Sequence, residues 1–243
     1  MTRLWLPFGR RVLLLIVLLV ALVALFPMRL ALSLLDLDRI GVSARSVSGS
    51  IWSSRLEEVA AAGIPVGTIE ARLSPLNLLI GRARIDVKRP SDAAGAPPLS
   101  GAVTVSRNSL GLADANATVP LAAALAPLPV GSVTLTGMNV HYEAGVCTRA
   151  SGTAQAALTG SIAGVALSQG LTGQASCDGR YVRIPMTSQS GQEKLEIRVA
   201  VDGEYVADLI AVQPSSDRIA ALAALGFTEI PGGYRLRTTG RFE

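Results

Sequence analysis

The sequence from Lys194 to Val212, KLEIRVAVDGEYVADLIAV, reads as two β-strands joined by a tight turn. In its first half, apolar residues alternate with charged ones, the pattern of a strand with one buried face. Leu195, Ile197, Val199 and Val201 form the apolar set, and Lys194, Glu196 and Arg198 form the charged set. Asp202-Gly203 is typical of a two-residue hairpin loop, because its backbone readily adopts positive φ. The stretch therefore predicts an antiparallel hairpin.

Short strand-like runs that open with a glycine recur along the chain. They are GAVTVS (101–106), GSVTLTG (131–137), GTAQAALTG (152–160) and GLTGQAS (170–176). Their spacing is too irregular for a repeat family, and they predict a meander of antiparallel strands with one apolar face. The apolar phase changes between Leu135 and Met138, so we expect a bulge at Gly137, which would turn His141 away from the apolar side.

Three short segments predict helices between the strands: 74–81, 119–129 and 215–226. The last begins with a serine N-cap and ends at Gly226, where a glycine favours the left-handed C′ conformation. The expected fold class is mainly β: an antiparallel, curved or sandwich-like sheet with a few short helices, preceded by one N-terminal transmembrane helix.

The N-terminus carries an unbroken apolar run. Every residue from Val12 to Phe26 is apolar, and the run ends before Arg29. As a helix, residues 12–28 would cover about 26 Å, at the short end of what spans a bilayer. The run offers no clean pair of small residues for cleavage, so we expect an uncleaved anchor rather than a signal peptide. The short tail at residues 1–11 carries three arginines and is expected to stay in the cytoplasm, with the bulk of the chain exported.

The chain is expected to have two parts. Residues 1–36 form the cytoplasmic tail and membrane anchor, and residues 37–243 form the exported β domain. The stretch at 89–100 is polar and rich in proline, so it reads as a linker. It would divide the β domain into two lobes, 42–89 and 99–243.

Cys147 and Cys177 are the only two cysteines. A tetrahedral zinc site needs four ligands, and the single histidine, His141, brings the local number to three. The spacing also differs from a CxxC redox pair. Buried thiols and a disulfide remain, and the compartment decides between them, because disulfides persist where the environment is oxidising. Since the bulk of the chain is expected to be exported, we predict an intramolecular disulfide between the two cysteines.

The sequence predicts no catalytic residues, no metal ligands, no cofactor and no enzymatic activity. It contains no Ser-His-Asp candidate and no phosphate-binding glycine loop. The net charge is +4, but the arginines are scattered and aromatic residues make up only 4% of the chain. A nucleic-acid interface needs a dense basic face, so none is expected. His141 is expected to be a solvated strand residue.

Motifs in both halves of the chain carry a family resemblance. In the first half they are Gly49-x-Ile51-Trp52-Ser53-Ser54, Pro75-Leu76-x-x-Leu79 and Gly81-Arg82. In the second half they are Cys147, Cys177-Asp178-Gly179, Gly226-Phe227 and Gly232-Gly233-Tyr234. In this order the motifs resemble general secretion pathway protein N, the N component of bacterial type II secretion systems. Ser54 and Ala71 depart from the family pattern, which often has glycine and tryptophan there. Trp52 is expected in the core, because lone tryptophans are usually largely buried.

The resemblance implies an accessory component of the machinery that exports folded proteins from the periplasm across the outer membrane. Such a component acts through protein–protein contacts. It also implies a single-pass protein of the bacterial inner membrane, held there by residues 12–28, with the bulk of the chain in the periplasm. The implied partners are other type II secretion components, in the inner-membrane platform, the outer-membrane secretin, or both.

A second hypothesis comes from a different class: a membrane-anchored periplasmic lipid-handling protein with an apolar β groove. Glycine-rich antiparallel strands that follow an anchor fit both hypotheses, because each requires one apolar face. A bound acyl chain would favour the lipid-handling protein, and association with secretion components would favour the first.

Candidate partner contacts lie on the last predicted strand. Arg235, Arg237 and Arg241 share one parity of this strand, while Tyr234 and Leu236 share the other. The arginines either form a solvated face whose charges keep a sheet edge from aggregating, or dock the edge on an acidic or strand-forming partner.

Overall fold

The computed structural model describes residues 12–15, 17–18, 42–61, 64–90, 97–159, 161–162, 165–166 and 170–242. Its strands are β1 Val42–Ser43, β2 Ser46–Ser50, β3 Ser53–Ala61, β4 Ile64–Leu73, β5 Ala83–Lys88, β6 Leu99–Val105, β7 Ser109–Pro120, β8 Val130–Glu143, β9 Val146–Leu158, β10 Ser161–Ile162, β11 Val165–Ala166, β12 Leu171–Gln174, β13 Ser176–Asp178, β14 Tyr181–Thr187, β15 Glu193–Ala200, β16 Glu204–Val212, β17 Thr228–Ile230 and β18 Gly233–Arg241. Two short helices accompany them, α1 Pro75–Leu79 and α2 Ser216–Ala224.

Sixteen strands form one open antiparallel sheet. Its order is β1-β3-β4-β5-β6-β7-β8-β9-β12-β14-β15-β16-β18-β17, with β2 also pairing β3 and β13 also pairing β14. β10 and β11 form a separate two-stranded sheet. Most neighbours in the sheet are also neighbours along the chain, but at the last edge β18 lies between β16 and β17. The mainly β, antiparallel class with few short helices is therefore confirmed.

The N-terminal segment is described only in part. Residues 12–15 and 17–18 are helical. Among the described residues, no helix combines the length and the apolar character needed to cross a membrane. Most of the predicted anchor at 12–28 lies outside the described residues, so the anchor stays a prediction.

The hairpin predicted from residues 194–212 is formed by β15 and β16. Their register runs from Glu193 opposite Ala211 to Val199 opposite Tyr205. The turn lies at residues 201–203, and Gly203 has a φ of +82°. Leu195, Ile197 and Val199 face the core, as the alternation predicts. The fourth member of the predicted apolar set, Val201, does not, because β15 ends at Ala200 and Val201 lies in the turn with an exposed fraction of 39%.

The bulge predicted at Gly137 is also confirmed. The pairing of β8 with β9 shifts register between Thr136 and Asn139, and Gly137 has a φ of +57°. The extra residue reverses the side-chain alternation. Leu135 and Met138 therefore pack on the same side of the sheet, against one core.

The core divides into two hydrophobic clusters. The larger is built on β7–β9, β12, β14–β16 and β18. We call the side of the sheet that carries it the inner face. α2 and the loop at residues 121–128 cover part of this face through fully buried leucines, Leu222 and Leu125. The smaller cluster lies on β2–β4 and comprises Val47, Leu56, Val59 and Ala71.

The sheet continues across the predicted linker, because β5 pairs with β6 along its whole length. Residues 91–96 of the linker lie outside the described residues. The division into lobes at 42–89 and 99–243 stays a prediction.

The sheet curls over on itself, which brings strands that are distant in the order into contact. Tyr142 on β8 donates a hydrogen bond from its hydroxyl to the carbonyl of Val199 on β15, at 2.9 Å. These strands are four steps apart in the sheet, roughly 19 Å if the sheet were flat. The loop at residues 121–128 makes a similar contact, since the Thr238 hydroxyl donates to the carbonyl of Ala126 at 3.1 Å.

Two local expectations are wrong. The segment at 119–129 forms no helix: its first two residues end β7, and residues 122–127 form turns. Proline has no N–H and cannot continue helical hydrogen bonding, and Pro127 and Pro129 interrupt the segment. Its leucines are nevertheless buried against the sheet.

Trp52 lies in the turn between β2 and β3 and is half-buried, so it is not part of the core. The helices predicted at 74–81 and 215–226 are present as α1 and α2, and Gly226 has a φ of +86°.

Candidate functional site: a sheet edge and an apolar groove

The last strands leave one edge of the sheet partly open. β18 pairs with β16 over nine residue pairs, from Gly233 to Arg241. β17 covers the other side of β18 only from Gly233 to Arg235. Among the described residues, no strand pairs with residues 236–241 on the side away from β16. We call these six residues the β18 edge.

The hydrogen-bonding direction of the β18 edge follows from its neighbours. The N–H of Phe242 donates to the carbonyl of Gly203 at 3.0 Å, so it points towards β16. On the opposite side, the hydroxyl of Thr228 in β17 donates to the carbonyl of Arg235 at 3.2 Å. Backbone groups alternate in direction along a strand. The N–H groups that point to the open side are those of Arg237, Thr239 and Arg241.

The three predicted contact arginines lie on the outer face, opposite the core, and each has an acidic partner. Arg237 donates two hydrogen bonds to Asp208, Nε to Oδ1 at 2.6 Å and Nη2 to Oδ2 at 2.7 Å. This interaction raises the pKa of Arg237 above its usual value. Arg235 lies 3.8 Å from the same carboxylate, and Arg241 lies 3.5 Å from Asp202. The side chains of Arg237 and Arg241 are still 50% and 57% exposed.

The outer face of β14–β18 continues this charge pattern inward from the edge. Glu196 on β15 lies opposite Asp208 and accepts hydrogen bonds from Arg183 and Arg198. Burial acts to raise the pKa of Glu196, but the hydrogen bonds from the two arginines outweigh it, and the pKa lies below its usual value. Arg198 also lies 3.8 Å from Asp178 on β13. The patch therefore carries four arginines, counting Arg235 and Arg237, and three carboxylates. Its surplus of positive charge suits an acidic partner.

Asp208, which holds two of the predicted contact arginines in place, was missed by sequence reasoning. It is buried, with an exposed fraction of 8%, between Ala207 and Leu209 in a strand whose other acid, Glu204, is its first residue. An acid flanked by apolar residues in the middle of a strand is the signal in the sequence that could have indicated a paired charge.

The predicted disulfide is present and joins β9 to β13. The Cα atoms of Cys147 and Cys177 are 5.4 Å apart. β9 pairs with β12 only through residues 153–156. Beyond that point the disulfide and a hydrogen bond from the N–H of Cys147 to the carbonyl of Gly179, at 3.0 Å, hold β9 against β13. The disulfide thus joins neighbouring strands at a place where the backbone hydrogen bonds between β9 and β12 have ended.

An apolar groove of about 340 Å³ lies on the inner face where the sheet curls over. One wall comes from β6–β8 and the other from β14 and β15. The lining residues are Val103, Leu110, Gly111, Leu112, Leu135, Met138, Val140, Tyr142, Val182, Ile184 and Val199. Sequence reasoning raised such a groove as an alternative but named none of these residues, because they meet only through the curl.

His141 lies on the outer face, as the bulge predicts. Its Nε2 is 3.4 Å from a carboxylate oxygen of Glu143, and its side chain is 41% exposed. Within the described ranges, no three metal-ligating side chains come together. The exposed side chain of His141 agrees with a solvated strand residue.

A family model described as type II secretion system (T2SS), protein N, matches residues 40–237. The chain belongs to this family. The match begins just before β1 and ends inside β18, so it includes almost all of the sheet. No curated protein and no solved structure matches the chain. As a member of this family, the protein is a component of the type II secretion system and interacts with other components of that machinery. The family is not a known enzyme family.

The family motifs lie at turns and strand junctions of the sheet. Gly49 has a φ of +95° in β2, just before the turn that contains Trp52. Gly179 accepts the hydrogen bond from Cys147 described above. Phe227 is buried in the large cluster, and Gly232 has a φ of +87° in the turn that leads into β18. The motifs thus maintain the sheet and its last edge.

Proposed function

We propose that this protein N family member is a tethered accessory of type II secretion that docks another component through the β18 edge. In this proposal the chain is a single-pass inner-membrane protein, with its β domain in the periplasm. The partner belongs to the inner-membrane platform or to the outer-membrane secretin. The machinery that it serves exports folded proteins from the periplasm.

The observation that carries the proposal is the half-paired state of β18. A strand with open N–H and C=O groups can add a strand from a partner, and main-chain hydrogen bonds then supply much of the affinity. The β18 edge has three such N–H groups within five residues. The arginines of its outer face would add electrostatic preference for a partner strand with acidic side chains. A membrane tether would keep the edge at high local concentration near other inner-membrane components.

Substitution of Thr239 by proline tests the edge directly. Proline removes the N–H that points to the open side, and the N–H groups that bond β16 are unchanged. We expect Thr239→Pro to reduce co-purification of platform or secretin components with the full chain about tenfold, and to reduce secretion with it. The fold should be retained, because Thr239 is exposed and lies on an edge.

Thr239→Val is the matched control, because it keeps the backbone N–H and changes only an exposed side chain. It should co-purify and secrete like the unchanged protein. Equal behaviour of the proline and valine variants would show that the β18 edge is not the docking site. Reversing Arg237 to glutamate is a poorer test, because it would place another acid beside the buried Asp208, which already lies opposite Glu196.

A further inference from the structure

The apolar groove offers a ligand no polar side-chain partner. Ten of its eleven lining residues are glycine, aliphatic residues or methionine. The remaining one, Tyr142, already donates its hydroxyl to the carbonyl of Val199. A peptide segment placed in this groove would bury N–H and C=O groups without hydrogen bonds, which is costly. A hydrocarbon chain carries no such groups and is the chemistry that the lining accepts.

The groove is accessible and of useful size. Leu110, Leu112, Leu135, Val140 and Val199 are half-buried rather than buried, so an apolar surface is open to solvent along both walls. Its volume of about 340 Å³ lies in the range of small-molecule sites, roughly 300–1,000 Å³. The apolar surface continues to Val105, which lies opposite Leu110 on the neighbouring strand. The exposed fraction of Val105 is 43%.

Charge at the same end of the sheet favours an anionic headgroup. Arg107 is exposed in the turn between β6 and β7, two residues beyond Val105. Among the described residues it has no ion-pair partner. The nearby turn between β15 and β16 carries Asp202, but Arg180 and Arg241 already neutralise that carboxylate. Glu143 on β8 lies opposite Ser109, but it contacts His141 on the outer face. Arg107 is therefore an open cation at this end of the groove.

We infer that the groove binds one acyl chain of an anionic phospholipid, with the headgroup beside Arg107. The site is separate from the β18 edge, and its test is independent of the docking proposal. Binding would place the chain between β6–β8 and β14–β15 and cover the half-buried leucines and valines that the fold leaves open.

The test uses the full chain in vesicles of phosphatidylethanolamine and phosphatidylglycerol. The probe is a phosphatidylglycerol with a photoactivatable diazirine in one acyl chain, and the labelled residues are mapped by peptide mass spectrometry. We expect label on groove-lining residues of β7, β8, β14 or β15. Label confined to the N-terminal apolar segment, or spread evenly over both faces of the sheet, would overturn the inference.

Filling the groove provides the matched comparison. Val140→Phe and Leu112→Phe each add volume to a half-buried groove position, and each should reduce groove labelling about tenfold. His141→Phe makes the corresponding change at the next residue on the outer face and should leave labelling unchanged. Thermal unfolding confirms that each variant is folded. Undiminished labelling in both folded filling variants would also overturn the inference.

Arg107→Glu tests recognition of the headgroup separately from binding of the acyl chain. This variant should lose labelling by the phosphatidylglycerol probe and retain labelling by the matching phosphatidylethanolamine probe. Equal labelling by the two probes in the unchanged protein would contradict the assignment of an anionic headgroup.

Discussion

Replacement of Glu193 by alanine is expected to lower the free energy of unfolding by about 3–5 kcal/mol, because it removes a buried carboxylate and the acceptor of three hydrogen bonds, one of them from an arginine. Glu193 on β15 is 1% exposed. Its Oε2 accepts hydrogen bonds from the hydroxyls of Ser188 and Ser190, at 2.8 and 3.0 Å. Its Oε1 accepts a hydrogen bond from Arg218 on α2, at 3.3 Å, and that side chain is 15% exposed. The carboxylate thus ties the helix to the sheet that it covers.

The measurement is urea unfolding of the full chain followed by circular dichroism. Glu143→Ala is the matched control, because Glu143 is 64% exposed and, among the described residues, its ion-pair partner is the exposed His141. The control should change the free energy of unfolding by less than about 0.5 kcal/mol. A loss below about 1 kcal/mol in Glu193→Ala would show that the buried ion pair does not hold α2 in place.

Loss of the disulfide is expected to have the second large effect. Its cysteines are 30 residues apart in sequence. In the chain-entropy model, a disulfide that closes a loop of this length stabilises the folded state by about 3.6 kcal/mol. The free energy of unfolding of the double variant Cys147→Ser, Cys177→Ser should therefore be lower by about that amount. Cys147 also lies opposite Tyr142, and Cys177 lies opposite Val182, so the bridge connects the two walls of the apolar groove.

Reductant supplies the internal control for the disulfide. The unchanged protein should lose the same stability when it is unfolded in the presence of a strong reductant, and the double serine variant should not respond to the reductant. Identical unfolding curves for the unchanged protein with and without reductant would contradict the predicted contribution. Free thiols in unreduced protein that was produced in an oxidising compartment would contradict the disulfide itself.

Features decided by neighbouring residues could be predicted from the sequence. The hairpin of β15 and β16 follows from alternation and Asp202-Gly203, and the bulge in β8 follows from a phase change at Gly137. Each depends on interactions within a few residues or across one strand pair. The same reasoning from neighbouring residues gave a wrong prediction of a helix at 119–129. The leucines of this segment are buried against the sheet, but its backbone is not helical. Here tertiary packing and two prolines override the local helical propensity.

Features that depend on distant residues could not be predicted. The groove exists because Tyr142 reaches Val199 across four strand positions, and no local pattern encodes that contact. The parity of Arg235 and Arg237 correctly indicated one face, but their shared partner, Asp208, lies on another strand. The open state of the β18 edge likewise depends on β17 being three residues long. The functional proposals therefore rest on topology as much as on residue types.

The docking of the β18 edge is tested most directly by site-specific photo-crosslinking in cells that assemble the secretion system. A photoreactive amino acid replaces Thr239 in the full chain, and the control position is Thr153, which is exposed on β9 in the middle of the sheet. The proposal predicts an adduct with a platform or secretin component at position 239 and none at position 153. An absent adduct at 239, or equal adducts at the two positions, would contradict docking through the β18 edge.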